Sequence, residues 1–378
     1  MDRDAREGTG DVGTDAIPRP AIPRRALRPS AGIAGFLGAF AAIGCMMTNA
    51  AATPQFARET RLPCSACHSY VPRLNGFGQT FYNNGLRLPG QKKAITVPIR
   101  GQLTATAQTS QTGSRLPVGW NDIAVGSDGT LGNASTLYRI KWFPIARTLQ
   151  IYALHALDKH LVLSAGKIAM LSQLDPELKI GLSTPTALAP AKSGAETPFA
   201  PAGDAMAIRF VGSTDSAMPY GDGWKLAATL PFSNELGPTS SPSRLREFDS
   251  TPKGLFVEVY RRQGLNSVGA NAFFGSDGRR YQGLVFQREI AHAYLEGAVG
   301  HSETRDGSTT AYSLGLDVEL AAETALGVRM DSQGGTTSLV ALASRFLGGD
   351  VSLWQFIMES RFQAGDRPGM TLRLKFRF

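Results

Sequence analysis

The sequence predicts an all-β transmembrane barrel of about 16 antiparallel strands, with a small N-terminal α-helical segment plugging or capping its lumen. Three observations carry this expectation. From residue 96 onward, segments of about ten residues alternate polar and apolar side chains and are separated by turn residues. The longer connections fall on one side of that series. The chain also opens with a basic, then apolar, then small-residue stretch of the kind that directs export.

The export stretch comes first. Residues 1–31 are polar and Pro-rich, with Arg24, Arg25 and Arg28 near the end, and Ile33 to Met47 is apolar. Thr48-Asn49-Ala50-Ala51-Ala52 supplies a small-residue exit. Residues 1–52 therefore read as a signal peptide, because the apolar run is shorter than the ~20 residues of a bilayer span. Two other processing signals compete with it: a twin-arginine signal at Arg24-Arg25, and a lipoprotein site at Ala42-Ile43-Gly44-Cys45. The chain beyond residue 52 is expected in the periplasm or farther out.

Residues 53–95 contain Cys64-Ser65-Ala66-Cys67-His68, a C-x-x-C-H sequence. Two thiols at this spacing can each form a thioether with one haem vinyl group, and the adjacent imidazole then binds the iron as proximal ligand. The expected cofactor is one covalent haem c, held by Cys64, Cys67 and His68. The rival chemistries are a zinc half-site and a thioredoxin-like dithiol. Zinc needs two further ligands nearby, and no Cys or His lies between His68 and His155. A dithiol of that kind sits in a βαβ context, and none is visible. The chain has 3 Cys, and Cys45 falls in the export stretch, so the composition excludes a disulfide scaffold.

This segment of about forty residues is too short to bury a haem by itself. It has no Met, and His68 is its only His. A sixth iron ligand must then come from elsewhere, from an unusual group or from water. The pool is His155, His160, His292, His301 and the Met residues downstream. His292 shares strand parity with Arg288 and Glu296, which would face it toward the lumen; an ordinary hydrogen-bonded wall histidine is the competing reading. Helices are expected from Pro63 to Tyr70 and from Leu74 to Asn83, with Pro63 in a first turn. Phe56, Phe77 and Phe81 are expected to pack on the porphyrin.

The residues around the motif resemble the cytochrome portion of outer-membrane monohaem cytochrome–porin fusions known from iron-oxidising bacteria. Pro54, Phe56, Ala57, Arg58 and Thr60 match that family's pattern before the haem site. Cys64, Cys67 and His68 match at it, and Pro72, Leu74, Asn75, Phe77, Gly78, Phe81 and Gly85 match after it. Arg61 stands where Gly is usual, Gln79 where Arg is usual and Tyr82 where Lys is usual. The likeness covers about thirty residues, and beyond them it is one of architecture. It implies a porin-like barrel, ferrous iron as the extracellular reductant, and inward electron flow to a periplasmic cytochrome or other carrier.

Residues 96–378 form the expected barrel. Arg100, Gln102, Thr104, Thr106 and Gln108 alternate with Ile99, Gly101, Leu103, Ala105 and Ala107; Leu372, Leu374, Phe376 and Phe378 alternate with Arg373, Lys375 and Arg377. Such strands have two faces that see different media. Ser276-Asp277-Gly278, Arg305-Asp306-Gly307, Gln333-Gly334-Gly335 and Gly348-Gly349-Asp350 mark turns. Long loops are expected over 110–134, 185–203 and 233–252. Tyr138, Trp142, Tyr260, Tyr281, Tyr294, Tyr312 and Trp354 are expected at the lipid–water interfaces, and the terminal Phe378 resembles an outer-membrane assembly signal. A soluble periplasmic β-sandwich or propeller would show similar alternation.

The formal charge is +8 without any run of Lys or Arg interleaved with aromatics, so nucleic acid is not an expected partner. The expected function is an outer-membrane electron conduit, embedded in lipid, with the barrel holding the haem near the outer surface. An Fe(II) oxidase activity follows only from the resemblance. The alternatives are a passive porin with a haem-bearing plug, and a periplasmic monohaem cytochrome with a soluble β domain serving as a peroxidase or sensor.

Overall fold

The structure, a computed structural model, describes residues 55–70, 73–92, 94–95, 97–108, 118–131, 135–144, 148–170, 204–232, 252–305, 307–321, 323–348, 353–363 and 369–377. The export segment 1–52, the loop 185–203, nearly all of 233–252 and the terminal Phe378 lie outside the described residues.

Three short helices come first: α1 (Gln55–Thr60), α2 (Cys64–Cys67) and α3 (Gly76–Asn83). Between α2 and α3, β1 (His68–Tyr70) pairs with β2 (Arg73–Leu74). The barrel strands follow: β3 (Val97–Gln108), β4 (Val118–Leu131), β5 (Thr136–Phe143), β6 (Thr148–Ala156), β7 (Leu161–Ala169), β8 (Asp204–Ser213), β9 (Gly223–Pro231) and β10 (Gly254–Gln263). The second half is β11 (Asn266–Gly275), β12 (Arg280–Ile290), β13 (Ala293–Thr304), β14 (Gly307–Ala321), β15 (Thr324–Gln333), β16 (Thr336–Gly348), β17 (Leu353–Gln363) and β18 (Gly369–Arg377). Each strand pairs antiparallel with its neighbours in sequence, and β18 returns to β3 to close the barrel. No helix among the described residues is long and apolar enough to cross a membrane.

Closure follows the alternation. On the β18–β3 seam, Arg373 opposes Thr106 and Lys375 opposes Thr104, while Leu374 opposes Ala105 and Phe376 opposes Leu103. Like meets like across the seam, because a one-residue slip would exchange the faces. The faces are inverted relative to a water-soluble protein. Trp224, Leu226, Val268 and Leu284 are each more than half exposed, whereas Glu258, Gln287 and Arg329 are buried. An outward apolar belt around a closed hydrogen-bond ladder is what a lipid environment requires, since lipid offers backbone groups no partners.

Two expectations need correction. The long loop expected over 110–134 is mostly strand, because residues 118–131 form β4. Of the seven expected interfacial aromatics, Tyr260, Tyr281 and Tyr294 are instead buried among the inward-facing side chains. Strand parity decides this: Tyr260 shares its face with Phe256 and Glu258, both fully buried. Tyr281 lies over Gly283 and Gly300, where an added Cβ would come within 2.2 Å and 2.4 Å of its side chain.

The two barrel mouths differ. Residues 109–117, 171–203 and 233–251 all join strand ends at one mouth. At the other, the hairpins turn at Gly264–Leu265 and Ala291–His292, and β3 begins at Val97. Transmembrane barrels carry short turns on the periplasmic side. The helical segment therefore reaches the wall from the short-turn mouth. There Phe81 and Leu86 bury against the inward residues Leu137, Leu154, Val162, Val211 and Tyr260. This reverses the expected placement near the outer surface, and the reason is connectivity: the segment leads directly into the lower end of β3.

The outward face yields one test. Leu284, at the middle of β12, is 60% exposed. Leu284→Arg should lower the unfolding free energy in lipid by about 2–4 kcal/mol, read by urea titration in vesicles, because the bilayer midplane penalises a cation by that amount.

Candidate cofactor-attachment site

The C-x-x-C-H residues occupy α2 and the first position of β1. The expected helix from Pro63 to Tyr70 stops at Cys67, since His68 pairs with Leu74 and Tyr70 with Arg73. A helix this short leaves most of its carbonyls without intrahelical partners. Asn75 satisfies three of them. Its Nδ2 donates to the Ser65 and Ala66 carbonyls at 3.2 and 3.0 Å, and its backbone N–H donates to the Cys67 carbonyl at 2.9 Å. The same side chain caps α3, its Oδ1 accepting from the Gly78 N–H at 3.0 Å. This cap starts the second helix at Gly76 rather than Leu74.

Glycines permit the remaining approaches. A Cβ on Gly78 would lie 2.1 Å from the Cys67 carbonyl oxygen, so α3 can lie against α2 only with glycine at this position. Gly85, at φ 68°, ends α3: Leu86 N–H bonds the Phe81 carbonyl and Gly85 N–H the Tyr82 carbonyl, both at 3.0 Å. Arg61 holds φ 58°, a left-handed conformation, which explains why the resembled pattern has glycine there. The other two departures from that pattern have packing roles. Gln79 is buried and donates to the Leu74 carbonyl at 3.1 Å, and Tyr82 meets Tyr220 edge-on at 5.2 Å.

The donor set suits a covalent haem. Cys67 is a free thiol, and burial pushes its pKa up, so it is a poor exchange thiolate. Cys64 opens α2, with its side chain outside the described part. His68 Nδ1 lies 3.2 Å from the Arg73 carbonyl oxygen. A carbonyl only accepts, so this bond places the proton on Nδ1 and the lone pair on Nε2, the arrangement metal-binding imidazoles adopt. Phe56 packs edge-on against Phe81 at 5.8 Å, while Phe77 is 39% exposed.

The β1–β2 hairpin docks on the inner wall. Arg73, almost fully buried, donates from one guanidinium nitrogen to Glu319 at 2.7 Å and from another to Asp317 at 3.1 Å. Its guanidinium also stacks on Tyr294, 4.0 Å from the ring centroid. Ser69 Oγ donates to the same Glu319 oxygen at 3.2 Å, and Tyr70 meets Phe346 edge-on at 5.4 Å. Removing one partner from a buried ion pair costs about 3–5 kcal/mol. None of these wall residues was a sequence candidate. The inward parity of Asp317 and Glu319 was readable, but nothing local links them to Arg73, over 240 residues away.

The remaining histidines do not converge on His68. His292 lies in the exposed Ala291–His292 turn rather than on a strand, so parity with Arg288 and Glu296 does not carry it to the lumen. Its carbonyl accepts from the Glu319 N–H at 2.7 Å. His155 and His301 alternate onto the outer face and bond Thr136 and Thr310, and His160 sits in a turn against the Ser213 carbonyl. Among the downstream methionines, Met218, between β8 and β9, packs against the cluster that contains Phe81 and Leu86. Among the described residues, no three His, Cys, Asp or Glu gather to hold a metal ion.

Neither a family model nor a curated protein matches the sequence. Solved structures do. An anion-selective porin from Comamonas acidovorans aligns with a TM-score of 0.51 at 11% identity, covering 75% of this chain and 99% of that one. OmpF of Salmonella typhi, in a complex with daunomycin, aligns with a TM-score of 0.53 at 10% identity, covering 75% and 97%. The fold is that of a porin-type β-barrel.

Two substitutions test the local architecture. Asn75→Ala should loosen the segment by about 1–2 kcal/mol, giving roughly tenfold faster protease cleavage within residues 55–95. Arg61→Gly should act in the opposite direction, by about 1 kcal/mol, with slower cleavage in the same assay.

Proposed function

We propose that this protein is an outer-membrane electron conduit, in which the helical segment bears one c-type haem and plugs the periplasmic mouth of the barrel. The observation carrying this reading is a set of deeply buried side chains on the inner wall. Phe256, Glu258 and Thr229 are fully buried on the inward face, and Gln355 and Glu359 nearly so. Side chains this buried narrow the passage, which suits a protein that passes electrons rather than bulk solute.

A haem attached through Cys64 and Cys67 and ligated by His68 supplies one-electron exchange between ferrous and ferric iron. The chain's own residues perform the other tasks. Asn75 and Gly78 hold the attachment helix, and Arg73 fixes the imidazole. Phe81 and Leu86 seal the segment against the wall. The short-turn mouth presents the segment to a periplasmic cytochrome or other carrier, and the extracellular reductant enters the lumen from the long-loop mouth to reach the haem. Ferrous iron as that reductant, and inward flow, rest on the resemblance to cytochrome–porin fusions. A second reading, a passive porin with a haem-bearing plug, draws on the porin-type fold alone.

The test uses the full-length protein in its cells and then in planar bilayers. The expected results are a haem stain that persists on a denaturing gel, haem reduction in intact cells by an impermeant ferrous complex, and little ion conductance. Porin-sized conductance together with a haem that the impermeant donor leaves oxidised would favour the passive plug. A gel without covalent haem removes both readings.

A further inference from the structure

We infer that Arg73 is the positioning residue of His68 and couples the proximal imidazole to the barrel wall. The inference rests on the reading of His68 as a haem ligand. Arg73 acts with both ends. Its carbonyl takes the Nδ1 proton of His68, and its guanidinium is gripped from three directions by the wall. Asp317 and Glu319 project inward from β14 two residues apart, and Tyr294 is the cross-strand partner of Asp317 on β13. The grip is therefore built on a rigid hydrogen-bonded ladder rather than a loop.

Glu319 reaches the motif twice, since the oxygen that accepts from Arg73 also accepts from Ser69, the residue after His68. The imidazole is thus flanked in sequence by one wall-bound group and hydrogen-bonded through another. A segment this small cannot hold a ring plane by its own core; here the plane is set by charge-assisted bonds to the barrel. The orientation and basicity of a metal-bound imidazole depend on its Nδ1 partner. Shifting Arg73 should therefore change the iron's electronic state without breaking either thioether.

The experiment compares full-length wild type with two variants that conserve net charge, so that through-space charge does not confound the result. Arg73→Lys keeps the cation but loses the forked geometry and the stack. The double variant Arg73→Gln/Glu319→Gln removes one charge of each sign. Both should retain covalent haem while shifting the Soret band and the midpoint potential, with the larger shift in the double variant. Faster proteolysis of residues 55–95 should accompany these changes. Faster proteolysis with a wild-type Soret band and potential would make Arg73 a mere anchor and overturn the inference. Wild-type protein without covalent haem would overturn the reading of His68 itself, a failure distinguishable because it appears before any variant is made. Should the double variant not assemble, Tyr294→Leu, which removes the stack under Arg73 and conserves net charge, is judged by the same two readouts.

Discussion

Every backbone N–H and C=O that crosses lipid must find a partner within the protein, and here the closing seam between β18 and β3 meets that requirement. With the seam formed, no strand is left with an open edge, and the alternation of each strand sorts its side chains into an outer apolar belt and an inner polar face. The seam also decides where the N-terminal segment goes. Because β3 starts at the short-turn mouth, the forty-odd residues before it arrive there. They meet the inward faces of β5 to β10 on one side and of β13, β14 and β16 on the other.

The inner wall carries paired charges. Cations are set against carboxylates: half-buried Arg139 on Asp128 at 2.7 Å, and buried Arg329 on Asp331 at 2.7 Å and Arg209 near Glu258 at 3.7 Å. The first pair spans adjacent strands, the second lies within β15, and the third reaches from β8 across β9 to β10, so the ladder sets the geometry of each. Isolated, such charges would be costly away from water; paired and hydrogen-bonded, they can stand on the inner wall beside its apolar clusters. Arg73 follows the same rule, but its acids belong to the wall while it belongs to the segment, so one ion-pair network joins two parts of the chain that have no other sequence relationship.

The helical segment packs through small residues and amides more than through bulk. Asn75 serves two helices at once, Gly78 lets them touch, and Gly85 turns the chain so that Leu86 can join Phe81 against the wall. Arg61 retains the left-handed backbone although it lacks the residue that adopts it without strain. The geometry at that position is thus imposed by the neighbouring turn rather than by the local residue.

Period-two alternation was enough to reveal the barrel and its approximate strand number, because a strand between lipid and a polar interior must alternate whatever its neighbours are. The C-x-x-C-H spacing is also a local pattern, and the proposal of a covalent haem rests on it. The same logic could not tell which face of a strand points inward near a turn. Tyr260, Tyr281 and Tyr294 therefore moved from the interface to the interior, and His292 from the wall to a hairpin tip. Nor could it bring Arg73 to Asp317 and Glu319. That meeting depends on sixteen strands closing in one register, a cooperative outcome to which no short stretch of sequence corresponds.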